Sequence, residues 1–315
     1  MTQQHFISKD HSYPGLSADR AAVLRAAPGG GERITFETDD AAYEQMHAHH
    51  DMAKVTAPLN PVTGPVHVEG AEPGDVLAVH VHDITFNGVG WSIYLPGAGA
   101  LAGELGQEWI TRRIELDGDL AHLTPQLSSP LAPMIGCIGV AAATGEMSTV
   151  MPSYPTGGNM DLTDVAPGST VYLPVQVAGA LLSIGDLHAV MARGESTFVA
   201  IEAAGQATVS LDLIKAPSGS LGALRAPRVE TEHEVVCVGL GDPVQDSIIM
   251  AQESMFRMLT QDYGYSPEDA YVVMSAVAHT ELGGPTGSKD PDPLHPFRAV
   301  GAVTLARISK EFLDR

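Results

Sequence analysis

This chain is short of several things, and each shortage closes off a class of function. It has two cysteines in 315 residues, Cys137 and Cys237, far apart and at no zinc-ribbon or CxxC spacing. Both lie in apolar, strand-like runs, IGCIGV and EVVCVGL, which predicts buried, reduced thiols. Basic residues are scarce: 17 Lys and Arg stand against 38 Asp and Glu, a formal net charge of −21. Nucleic acid and anionic membrane surfaces both require a basic footprint, so neither is an expected partner. The expected ligand is small and neutral or cationic, unless a metal reverses that preference locally. No apolar run reaches membrane-spanning length, and the richest, LAPMIGCIGVAAATG, is interrupted by proline and glycine. The opening MTQQHFISKDHSYPG has no apolar core of the kind a signal peptide needs, so a cytoplasmic protein is expected.

Reactive-serine and nucleotide motifs are missing as well. There is no GxSxG elbow, and neither GSLGALR nor GPTGSKD puts a serine on a strand-to-helix turn. PGGGER lacks the lysine and threonine of a phosphate-binding loop.

What the chain does have is turn residues, 33 Gly and 22 Pro, separating short runs rich in Val, Ile and Leu. Val66–Gly70 and Val76–Ile84 alternate apolar and polar residues at period two, as half-buried strands do. Segments beginning at Ser169, Thr197 and Ala207 continue the pattern, with turn dipeptides such as Pro73-Gly74, Asp117-Gly118 and Pro167-Gly168 between strands. Residues 30 to 215 therefore read as a β-sandwich or barrel. The expected fold is mainly β with a smaller C-terminal α/β part. Residues 1–225 would form the β-rich domain carrying the site, and 226–315 the second part, after the linker APSGSLGALRAPR.

In that second part, Asp242-Pro243 opens a predicted helix through VQDSIIMAQESMFRMLTQDYG that stops at Gly264. Ser266-Pro267-Glu268-Asp269 supplies an N-cap, a proline at the first helical position and an acidic first turn. A mostly buried helix is then expected through AYVVMSAVAHTEL to Gly283-Gly284, and the segment His279–Pro296 reads as a long polar loop, either bland or serving as a lid or a contact between subunits.

The chemistry concentrates between Met151 and Glu195. Gly157, Gly158, Asn159 and Asp161 form one polar cluster, and Gly185, Asp186, His188 and Glu195 form another, around short apolar strands. Such groups are costly in a core unless they bond one another or bind something. Asp186 and His188 are two apart, so on a strand they project from one face, as half of a metal site or an acid–base pair.

Four segments occur in order: the run from Asn60 to Leu77, the GGNMD at 157–161, YLPVQVAGALLSIGDLH at 172–188, and Gly194-Glu195. In these the chain resembles the acetamidase/formamidase family of amide hydrolases. The resemblance implies a metal-dependent hydrolase that releases ammonia from a small carboxamide. It also implies a mainly β architecture with a small α/β part, assembled as a homo-oligomer, a dimer or larger.

Amide hydrolysis needs an activated water, a group polarising the carbonyl, and a proton for the departing amine. A divalent metal with an open position supplies the first two, and a nearby carboxyl group shuttles the proton. His188, Asp186, Asp161 and Asp40 are the expected ligands, with zinc the leading ion. Asn159 and Gly158 are the expected substrate contacts, and Glu195 and Glu146 the general-base candidates. Each has a blander reading: Asp161 and Asp186 as turn residues, His188 as a satisfied interior histidine, Asp40 as surface.

The run His47-Ala48-His49-His50 and the lone His11 are weaker metal candidates. His11 lacks the neighbouring tryptophan that the resemblance leads one to expect. Arg193 stands where the resemblance suggests an acid, and could alter which substrate is accepted. The same scaffold could serve an amidine, urea-like or cyclic amide substrate, or bind a small molecule without catalysis.

Overall fold

The computed structural model describes residues 3–94, 96, 101, 104–106, 108–150, 154–284 and 302–313. Two large sheets dominate, so the mainly β expectation holds. The nine-stranded sheet runs, in spatial order, Gln4–Ile7, Arg33–Glu37, Gly205–Ile214, Val76–Phe86, Thr170–Pro174, Arg228–Glu230, Glu234–Gly241, Ala302–Ser309 and His279–Gly283. The second sheet has eleven strands, and Ala180–Val190 is its backbone.

The alternation read in the sequence is what closes the core. Phe36, Leu77, Val79, Val81 and Val209 from the first sheet meet Val66, Ile135, Ile138, Leu182 and Ile184 from the second in one buried cluster. Each of these side chains is essentially removed from water, which stabilises by roughly 1.5–3 kcal/mol apiece.

Strands from the C-terminal part belong to the first sheet. Arg228–Glu230 pairs with Thr170–Pro174 on one side and Glu234–Gly241 on the other, so the nine-stranded sheet passes without a break across the boundary expected near Ala226. Val229, Val236, Val238, Val303 and Leu305 join the main core. The helices have a cluster of their own on the far face of the same strands, built on Cys237, Ala251, Met255, Leu259, Ala306 and Ile308. Both cysteines are buried free thiols, as their apolar contexts predicted.

Three α-helices are present among the described residues: α1 (Ala41–His49), α2 (Val244–Gln261) and α3 (Pro267–Val277). The Ser266 side chain accepts the Asp269 amide at 3.0 Å with Pro267 following, which is the start the sequence predicted. Helix α3 ends earlier than expected. Residues from His279 to Gly283 are instead an edge strand paired to Ala302–Ser309, a partner that helical periodicity cannot register. Nor is α3 mostly buried: Ala270 is enclosed, while Tyr271 is 72% and Val272 63% exposed. The expected loop beyond Gly284 lies outside the described residues.

Candidate metal and substrate site

The site forms where strand Ala180–Val190 changes neighbours. Along its first half it pairs with Val62–Val68, ending at Gly185 opposite Val62. From His188 onward, on Glu202, it pairs with Ile201–Glu202 instead. Asp186 sits in the gap between these partners with φ of 55°, a left-handed conformation inside a strand. Asn60, next to the first partner, and Glu202, within the second, thereby meet Asp186 and His188 at one seam.

Strand Met134–Gly139 covers the other side of Ala180–Val190 and carries Gly157–Asn159 on its far edge. The Gly136 carbonyl accepts the amides of both Met160 and Asp161, at 3.0 and 3.2 Å, turning Asp161 back toward the seam. A Cβ on Gly136 would lie 2.6 Å from Asp186 Oδ2 and 2.7 Å from Asp161 Oδ1. Glycine is required here because two carboxylates occupy the space a side chain would take.

The result is a cavity of about 40 Å³ lined by Asn159, Asp161, Asp186, His188, Glu195 and Glu202 with Tyr43 and Asn60. His188 Nε2 lies 3.3 Å from Glu202 Oε2, 3.5 Å from Asp186 Oδ2 and 3.7 Å from Asp161 Oδ1. All four side chains are buried. Although three carboxylates approach the imidazole, both of its nitrogens, Asp161 Oδ1, Glu202 Oε2 and Asn159 Oδ1 have no hydrogen-bond partner among the described residues. Buried polar atoms are rarely left so, and several converging on one point call for a guest.

Five lining residues hold backbone conformations that L-residues adopt reluctantly: Asn60, Asp161, Asp186, Glu195 and Phe198 have φ of 42°, 46°, 55°, 39° and 77°. Such strain persists where surrounding structure over-determines it, and it concentrates at functional sites. A chain of polar contacts adds rigidity, since the Tyr43 hydroxyl donates to Asn60 Oδ1 at 2.7 Å and Asn60 Nδ2 donates to Asp186 Oδ2 at 3.4 Å.

Electrostatically the site is acidic and buried. Burial, reinforced by Asp186 and Glu202, raises the Asp161 carboxyl well above its ordinary range against the opposing pull of His188. Burial and then Asp161 do the same to Glu195. Glu202 is raised by burial, with His188 opposing. Burial pulls His188 down, but the charges of Glu202 and Asp186 outweigh it and raise the imidazole well above its ordinary value. A cation among these groups would relieve all four.

Of the residues expected from sequence, Asp161, Asp186, His188, Glu195 and Asn159 are brought together. Asp40 is not: its carboxylate accepts the Trp91 indole N–H at 2.7 Å and the Ala204 amide at 3.4 Å, fixing the start of α1. Glu146 is also elsewhere, half-exposed on a short strand and paired with Arg20 at 2.8 Å. Gly158 pairs with Ile138 in the sheet, adjacent to the cavity but not lining it.

His47 and His50 both reach Thr111, at 2.8 and 3.3 Å, and neither is in a possible metal-binding group among the described residues. His11 ends a one-turn helix outside the cavity lining. Arg193 turns away to Glu281 at 3.0 Å and Asp164 at 3.7 Å, so its charge is spent on a structural network.

Sequence reasoning missed Glu202, Asn60, Tyr43 and Gly136. Glu202 had a weak signal, a carboxylate closing the apolar run Thr197–Glu202. Two sets of three ligand atoms, Asp161–Asp186–His188 and His188–Glu195–Glu202, each lie within 4.8 Å of one another, so the structure holds a possible metal site centred on His188.

Comparison with known proteins gives a consistent result. The acetamidase/formamidase family model matches residues 19–141 and 94–284. An acetamidase of Mycolicibacterium smegmatis is 26% identical over 350 residues, covering 84% of this chain and 86% of its own. A putative formamidase of Schizosaccharomyces pombe is 30% identical, the match spanning 49% of this chain and about half of that protein, 52%. The crystal structure of an acetamidase from Bacillus halodurans superposes with a TM-score of 0.83 at 27% identity, over 98% of both chains.

Proposed function

This chain belongs to the acetamidase/formamidase family, and from that premise we propose that it hydrolyses a small aliphatic carboxamide, of the formamide or acetamide type, to a carboxylate and ammonia. We propose further that the reaction depends on a divalent ion, zinc first among them, held by Asp161, Asp186 and His188. The observation that carries this reading is the convergence of unpartnered, buried N and O atoms on His188 in a cavity too small for a large ligand.

The donor set suits such an ion. Separations of 3.5 and 3.7 Å from His188 Nε2 to the two aspartate oxygens are close to the edges, about 3.3–3.4 Å, of a tetrahedron with arms of roughly 2.0–2.1 Å. One imidazole and two carboxylates are the side chains that would hold it. Bound among them, a divalent ion would supply Lewis acidity toward a carbonyl and an acidified water at neutral pH.

The chain's own side chains supply the rest. Asn159 Oδ1, buried and unpartnered, can accept from the substrate's amide N–H and orient it. Glu195 has a carboxyl that holds a proton more readily than an ordinary glutamate, which suits it to take one from water and pass it to the departing nitrogen. Glu202 Oε2 faces the same Nε2 as the two aspartates and would add negative charge beside the ion. A cavity of about 40 Å³ has room for a small guest only. That matches a carboxamide with little or no alkyl chain.

The test is ammonia release by the purified protein from formamide, acetamide, propionamide and urea, before and after chelation. Release from a short amide, lost on chelation and restored by zinc, is the expected result. No release from zinc-supplemented protein with any amide would overturn the reading in favour of a non-catalytic binding protein.

A further inference from the structure

The cavity lining is of two kinds. Besides its polar groups it has Tyr43, Met46, Leu59, Phe198 and Val199, which belong to a single apolar cluster that also holds Trp91 and Ile93. A carboxamide must direct its oxygen and nitrogen toward the polar groups, because several of those have no other partners among the described residues. Whatever alkyl group the substrate carries must then face the apolar cluster.

Phe198 holds a particular place in that wall. It closes the turn that begins at Glu195, donating its amide to the Glu195 carbonyl at 2.9 Å. Its φ is 77°, in the region that glycine and asparagine tolerate and a bulky aromatic residue rarely occupies. Backbone preference alone would favour glycine at such a position, so the ring is kept despite the conformation rather than because of it. Because Phe198 and Glu195 share one turn, the ring is fixed relative to a polar group of the same cavity.

Resting on the amide-hydrolase reading above, we propose that Phe198 is the residue that sets the length of acyl chain this site accepts. The ring stops the alkyl group, and Met46 and Val199 complete the stop. This is a specificity role: it concerns which amide fits, not the chemistry common to all of them.

The experiment compares wild type with Phe198→Ala and Phe198→Gly on formamide, acetamide, propionamide and butyramide. Ammonia release gives kcat/KM, and calorimetry gives the affinity for each amide. Discrimination of one methylene in an apolar pocket is worth about 10–200-fold. The expected result is therefore at least a ~10-fold rise in the propionamide-to-acetamide ratio in the variants, with formamide least affected. Phe198→Gly suits the left-handed backbone, so it carries the test if Phe198→Ala fails to fold by circular dichroism.

Ratios unchanged in a folded variant, or equal losses on all four amides, would overturn the proposal while leaving the amidase reading intact. If wild type releases no ammonia from any amide, the amidase reading fails, and the affinity series still decides on Phe198. Tighter binding of the longer amides by the variants supports it, and a flat series overturns it.

Discussion

His188 and Glu202 face each other as register partners on adjacent antiparallel strands, with Nε2 and Oε2 3.3 Å apart and both side chains buried. The pairing places a carboxylate beside the Nε2 that also faces Asp161 and Asp186, where it would add negative charge to the proposed cation site. Groups of this kind typically contribute about 10–100-fold to metal affinity. Glu202→Gln keeps the shape and removes the charge. Zinc affinity, read by competition with a chromogenic chelator, is expected to fall by about that factor. An unchanged affinity would mean that Glu202 serves the strand pairing alone.

Gly136 gives a sharper prediction. A methyl group there would approach both Asp161 and Asp186 at under 3 Å, so the two carboxylates must part. Displacement of about 1 Å at a reacting centre can cost ~10²-fold in rate. Gly136→Ala is expected to reduce ammonia release by at least ~100-fold while the circular dichroism spectrum stays that of the folded protein. Activity within a few-fold of wild type would show that the site tolerates a wider separation.

The contrast between these residues shows what was legible beforehand. Asp186 and His188 could be paired from sequence because strand alternation is a local rule, and Asn159 and Asp161 because a run of buried polar groups is itself anomalous. Glu202, Asn60 and Gly136 could not, because each enters through a strand pairing that joins residues far apart in the chain. Asp40 and Glu146 show the converse. A carboxylate is a suitable ligand type anywhere, and only the fold reveals that one caps Trp91 and the other meets Arg20.

The mainly β reading held where period-two alternation survives, as in Arg33–Glu37 and Gly205–Ile214, whereas Met134–Gly139 and Ala180–Val190 are buried almost throughout and carry no such signal. The C-terminal region departed from expectation at His279–Gly283, where a short polar–apolar mixture becomes a strand only because Ala302–Ser309 lies beside it.

Arg307 supplies a stability prediction. Its guanidinium is 2% exposed and reaches Asp164 at 2.7 Å, Glu234 at 2.7 Å and Glu281 at 2.9 Å. Removing it leaves the buried Asp164 carboxylate with only the 3.7 Å contact to Arg193 among the described residues, and breaking a buried pair in this way costs about 3–5 kcal/mol. Arg307→Leu is expected to lower the unfolding free energy by about that amount in urea titrations. Arg193→Leu, whose side chain is 48% exposed, should cost under about 1 kcal/mol. Equal effects from the two would mean that burial does not decide the strength of this network.

The pH dependence of the metal-free protein follows from the direction of four shifts. Asp161, Glu195 and Glu202 are raised, chiefly by burial, above ordinary values of 3.8 for the aspartate and 4.5 for the glutamates. Above those values the unfolded chain releases protons that the folded site retains. The folded state then binds more protons than the unfolded one, and stability falls as pH rises. His188 acts with the same sign: burial lowers it, its carboxylate neighbours raise it further, and it keeps its proton above the ordinary 6.5. All four contributions are therefore complete at low pH and are lost as pH climbs through the folded-state values.

A bound cation reverses the slope, because its ligands must be deprotonated and binding expels their protons. The gain in Tm on adding zinc is therefore expected to be larger at about pH 8 than at about pH 5.5, each against chelated protein at the same pH. An equal gain at both would place the ion away from His188. A gain that survives in His188→Asn would do the same.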